Sequence, residues 1–263
     1  MKRMLTIMLA LLLVLIGTAC SREKDKLPDG SDKVTEFATI PSFQAVFLAL
    51  DKLDPGDLAG LSQNKFSAPE QDTLRTAFAW GALVAESQLA VASRNADWLR
   101  SVLGQLQALP ASSGLKGLAV QLGESVKPNL ANGDWEQVKR LIYNMQSSVD
   151  KSLMDSERYG DYTIIALGSW TETVNQIGRL IAANYSTEKS MVLNTTAWQD
   201  LAGNILLMDS AKFAKSGEFA QGFELVQQLQ DMMNSAGQSA FTQEQVSEIV
   251  TATESIRGCF TSP

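Results

Sequence analysis

The stretch GDYTIIALGSWTETVNQIGRLIAAN, residues 160–184, decides how the chain folds. At 100° per residue, Ala166, Trp170, Thr173, Val174, Ile177 and Ile181 gather on one side. Glu172, Asn175, Gln176 and Arg179 gather on the other, the stripe of an amphipathic helix. Trp170 is therefore expected in the core, and Glu172 and Arg179 on a solvated or concave face. The first half, TIIALGSW at 163–170, is apolar all round, which predicts a central helix. If the helices stack as a superhelix, the polar face lines its groove, and Glu172 and Arg179 become candidate ligand-binding residues.

Working outward, the hydrophobic spacing is helical almost everywhere, with no sustained two-residue alternation, so no strand is predicted. Starts and stops are marked by caps and breakers. A helix over Thr39–Leu53 should end before Asp54-Pro55-Gly56. The next should open at Ser67 or Ala68 ahead of Pro69 and run to about Ser93, and another should run from Asn95 to Pro110. A segment from Ser112 should stop before Pro128. Further helices should begin near Asp134, Asp161 and Ser186, the last breaking near Asn194. SGEFAQGFELVQQLQDMMN and TQEQVSEIVTATESIR close the chain, and Thr242 with Gln245 has capping-box spacing. These elements predict one all-α domain over 35–263, with eight to ten helices in stacked antiparallel pairs, as a bundle or a short solenoid.

A small signature recurs at helix starts: NADW (95–98), NGDW (132–135) and SGEF (216–219). The acid is expected in the first helical turn, where the macrodipole favours it, and the aromatic should pack into the preceding helix. Asp97 and Asp134 lie 37 residues apart, within the range of helix-pair repeats, although capping alone accounts for such residues at helix starts. Gly81 and Gly168 would let two helices approach closely. Glu86 is expected at a boundary and not as a buried acid. Trp80 and Tyr185 are expected at core or snorkelling positions, and Met232-Met233 as core filler.

Composition narrows the chemistry. The chain has 263 residues, 45% hydrophobic and 19% charged, with a net charge of −7. An acidic surface repels phosphate backbones, so nucleic acid is a poor partner. There is no histidine, which removes the commonest general base and metal ligand. Two cysteines cannot make a four-thiolate zinc site. Calcium-loop, phosphate-loop and dinucleotide motifs are all missing. No catalytic residue, metal or cofactor is assigned.

The N-terminus carries a second message. Lys2 and Arg3 precede an uncharged apolar run, Met4–Ala19, which reads as a secretory signal over 1–19. It is short for a membrane span, which needs about 20 apolar residues. Cleavage after Ala19 would remove two of the 22 basic residues and leave 20 against 29 acidic ones. Gly17-Thr18-Ala19-Cys20 resembles the lipobox of bacterial lipoproteins, which implies acylation of Cys20 and anchorage through several chains. Ordinary signal cleavage would cut at the same bond and leave Cys20 a thiol. Residues 20–34, polar and containing Pro28 and Gly30, would form a flexible tether. Ser21 resembles the pattern of lipoproteins sent to the outer membrane, with the domain in the periplasm or at the surface. Cys259 is then expected as a reduced thiol, packed by Phe260 against the end of the last helix.

A broader resemblance rests on two helices. Phe78, Gly81, Ala85 and Glu86, then Gly168, Trp170 and Glu172, resemble motifs of an all-helical bacterial lipoprotein family known mostly from Bacteroidetes. The likeness implies a fold and a location and no activity. Two classes of function follow. One is a membrane-anchored binding or scaffold module for a protein or peptide, or the same domain secreted in soluble form. The other is a helical enzyme using paired carboxylates such as Glu86 and Glu172, which would need both acids in a cleft.

Overall fold

Two helices dominate because neither has a side to turn to water. In the computed structural model they are α1 (Thr73–Ala92) and α5 (Tyr159–Ala183), buried without interruption over Thr76–Val91 and Tyr162–Gly178. Around them lie α2 (Ala96–Ala108), α3 (Lys116–Ala131), α4 (Trp135–Asp155), α6 (Gly217–Ala236) and α7 (Gln243–Thr261), with short helical turns at Pro55–Leu58 and Thr187–Leu193. The structure describes residues 53, 55–58, 60–68, 72–111, 114–194, 217–237 and 239–261, all within one unit, Ile40–Pro263. Among the described residues there is no strand, and the fold is all-α. Of the expected Thr39–Leu53 helix only Leu53, buried in a bend, is described; residues 39–52, Cys20 and its tether lie outside the described residues.

The most extensive contact is between α1 and α5, followed by α7 on α5. Helices in a solenoid contact only their neighbours, whereas this core joins elements far apart in the chain. The architecture is therefore a bundle, with the expected sequential pairs α2–α3, α3–α4 and α6–α7 also packed together. Trp80 and Trp170 are fully buried, as the apolar patterns required. Met233 is buried, and Met232 packs against the core. Tyr185 snorkels, donating its hydroxyl to the Phe241 carbonyl at 2.9 Å.

Several boundaries differ from expectation for identifiable reasons. Helix α1 begins at Thr73, capped by Asp72, which accepts from the Arg75 N–H at 2.8 Å; residues 61–68 are non-helical. Helix α3 runs through Pro128 to Ala131. The carbonyl that proline leaves without an N–H partner belongs to Glu124. Glu124 and Pro128 are exposed, so water can satisfy that group, while Leu130 is buried beyond it. The NADW and NGDW starts are not equivalent. Asn95 is the cap of α2, with Asp97 in the first turn, whereas Asp134 is itself the cap of α4 and follows Gly133 in a left-handed turn (φ +70°). Capping, and not a repeat, explains them.

Helix α7 continues past the expected end at Arg257 to Thr261. Cys259 and Phe260 thus lie within it. Phe260 stacks on Phe78 of α1, with centroids 4.5 Å apart and planes at 5°, and meets Phe219 of α6 at 4.9 Å. Cys259 is half-buried beside it and packs against the core.

Candidate functional site

Glu86 of α1 and Glu172 of α5 are 0% and 1% exposed. This corrects two expectations at once: Glu86 is not a boundary residue, and Glu172 is not on a solvated face. Asn175 and Gln176, from the same stripe, are buried too. Helix α7 and residues 61–68 cover the side of α5 that the stripe would otherwise have presented to water. Asn175 donates to Thr253 Oγ1 of α7 at 3.0 Å. Arg179, the third candidate, is exposed and takes no part in the cluster.

The two carboxyls share their donors. The backbone N–H of Asn64 donates to Glu86 Oε1 at 3.1 Å, and its side-chain amide donates to Glu172 Oε1 at 2.7 Å. The Gln176 amide reaches Glu172 Oε1 at 3.0 Å, Glu86 Oε1 at 3.3 Å and the Ser62 carbonyl at 2.8 Å. The Trp98 indole N–H donates to Glu86 Oε2 at 2.6 Å. Trp98 does pack into the preceding helix, as the NADW pattern predicted, and its polar edge finds the acid there. Residues 61–66 are tied down on the other side by α2, where Gln63 donates to Ser101 Oγ (2.6 Å) and Phe66 N–H to Gln105 Oε1 (3.0 Å).

Electrostatics follow from this enclosure. Burial raises the Glu86 carboxyl from 4.5 to about 9. The charge of Glu172 and a hydrogen bond between the two carboxyls push the same way, while the Asn64 N–H and the Trp98 indole oppose them. Glu86 is therefore the group of this pair that keeps its proton at neutral pH. On its far side Glu172 Oε2 faces the guanidinium of Arg257 in α7, at 3.6 Å. Arg257 is 22% exposed overall, but the nitrogen that faces Glu172 is buried. A half-buried acid is separate from this pair. Asp150 of α4 accepts from Gln146 at 2.7 Å and is raised by burial to about 6. Burial and Asp150 hold the Tyr162 phenol above its usual range.

The two acids are buried and share the Asn64 and Gln176 donors, so no solvent-open cleft separates them. Among the described residues, no three acidic or thiol side chains converge as a metal site. A shallow groove does exist elsewhere, between α3 and α4, of about 130 Å³. Its walls include Leu118, Leu122 and Ser125 on one side and Leu141, Asn144 and Met145 on the other, with no charge among its lining residues.

Gln176 was expected on the face of Glu172, but residues 64, 98 and 257 were not foreseen as companions of the two acids. One signal was available: Glu86 interrupts the apolar run TAFAWGALVAESQLAVA, and an acid inside such a run must find donors or stay neutral. Comparison with protein families, with curated proteins and with solved structures returns no match for this chain.

Proposed function

We propose that this protein is an extracytoplasmic helical module, anchored to a bacterial outer membrane through acyl chains on Cys20, that binds or scaffolds a protein or peptide and is not an enzyme. The observation that carries the reading is the closed Glu86–Glu172 pair. A glycosidase-type site holds its carboxyls about 5–9 Å apart around substrate or water, whereas these two are buried, hydrogen-bonded to each other and served by the shared internal donors Asn64 and Gln176. The α3–α4 groove supports a binding role. At about 130 Å³ it is well below the roughly 300 Å³ at which small-molecule pockets begin, and it suits one or two side chains of a partner. The apolar Met4–Ala19 run and Gly17-Thr18-Ala19-Cys20 support the anchor. No described helix is long and apolar enough to cross a membrane.

The test places a photo-crosslinking residue at Gln121, in the groove, and at exposed Glu254 on α7 as a control, in the full chain in its native membrane. A discrete adduct from position 121, absent at 254 and unchanged by E172Q, is expected. No adduct from either position, together with a hydrolytic activity abolished by E172Q, would overturn the reading in favour of the enzyme.

A further inference from the structure

We infer that residues 60–68 form a strap held closed over the Glu86–Glu172 pair by a single proton, and that loss of this proton releases the strap. The inference is independent of the anchoring and binding roles proposed above.

The geometry has three parts. First, the two acids lie on the two central helices, whose backbones meet at Gly81 and Gly168, so the pair cannot relax by parting α1 from α5. Second, one strap residue bridges both acids: Asn64 donates its backbone N–H to Glu86 and its amide to Glu172. The strap's Ser62 carbonyl takes a further bond from Gln176, which itself bridges the pair. Third, the strap is the only non-helical described segment hydrogen-bonded to the acids, with Leu61–Lys65 exposed or half-buried and Phe66 buried. Phe66, fixed by Gln105 of α2, is the natural pivot.

With the proton in place, the neutral Glu86 carboxyl donates to Glu172 and still accepts from Asn64 and Trp98. When it leaves for solvent, two carboxylates face each other with almost no water between them, and desolvation and repulsion act together. The charged group beside the pair is Arg257, 3.6 Å from Glu172 Oε2, the oxygen that takes neither of the shared donors. Helix α2 presents the neutral indole of Trp98, and the strap presents the neutral amide of Asn64. Hydrating the ionised Glu86 therefore requires the strap to lift. The rise of Glu86 to about 9 sets where this occurs, so the strap is closed at neutral pH.

The experiment is amide hydrogen exchange by mass spectrometry on the full chain, normalised to intrinsic base-catalysed rates, at pH 7 and pH 10. Peptides covering 60–66 should lose protection at pH 10 while α1 keeps its own, and E86Q should keep the strap protected at both. Because E86Q can compromise folding, N64A serves as a second variant. It should retain helical content and show several-fold faster strap exchange at pH 7. An infrared carbonyl band of a neutral carboxylic acid at pH 7, missing in E86Q, reports the proton itself. The inference is overturned by strap protection that is the same at both pH values, by E86Q losing protection like the wild type, by N64A leaving exchange unchanged, or by the absence of that band.

Discussion

Gly81 and Gly168 face each other's helices reciprocally. A Cβ on Gly81 would lie 1.8 Å from the Ile165 carbonyl oxygen, and one on Gly168 would lie 2.1 Å from that of Phe78. Each clash is with backbone and not with a side chain that could turn away. G81A and G168A should each therefore cost at or above the upper end of the roughly 1–3 kcal/mol typical of overpacking. Gly104, exposed on α2 with nothing within 4 Å, is the control: G104A should stabilise by up to about 1 kcal/mol. Urea unfolding of the three variants checks both signs.

The start of α7 offers a separate local test. Thr242 Oγ1 accepts from the Gln245 N–H at 3.2 Å, and the Gln245 side chain accepts from the Thr242 N–H at 2.9 Å. This reciprocal box was legible from spacing alone. T242A should lower stability by about 1 kcal/mol, read as a shift in the urea midpoint at unchanged slope.

Trp170 is buried in the core and is expected to act through packing. Truncating such a tryptophan costs about 3–5 kcal/mol, so W170A should unfold at a clearly lower temperature. An unchanged thermal midpoint together with loss of partner binding would make Trp170 a recognition residue instead.

The carboxyl pair gives stability a pH dependence of definite sign. Glu86 ionises at about 4.5 in the unfolded chain and at about 9 in the folded one. Between those values the folded chain holds the extra proton, so this contribution is complete below about 4.5 and is lost as pH rises toward 9. Asp150, raised from 3.8 to about 6, adds a loss of the same sign at lower pH. Urea midpoints of wild type minus E86Q should therefore decline from pH 5 to pH 9. A difference that grows with pH would contradict the proton held on Glu86.

What the sequence disclosed and what it withheld divide on physical grounds. The central position of residues 163–170, the close approach at Gly81 and Gly168, the buried Trp170 and the Thr242 box all follow from local spacing or from side-chain size. The burial of Glu172, Asn175 and Gln176 does not. A polar stripe on a helix looks the same whether it meets water or donors, and these donors are remote: Asn64 is 108 residues from Glu172, and Ser62 is 114 from Gln176. For the same reason the arginine nearest the acid in sequence, Arg179, proved exposed, while Arg257 from another helix is the partner. The non-helical course of residues 61–68 has the same origin, since Ser62 and Asn64 bond to the cluster.

The proposed anchor is tested most directly by mass spectrometry of the N-terminal peptide of the protein purified from native membranes. The account predicts that the mature chain begins at Cys20, with acyl chains on its thiol and its amine, and that Cys259 is alkylated without prior reduction. A mature chain in the soluble fraction with an unacylated Cys20, or a peptide in which Cys20 is joined to Cys259 by a disulfide, would contradict it.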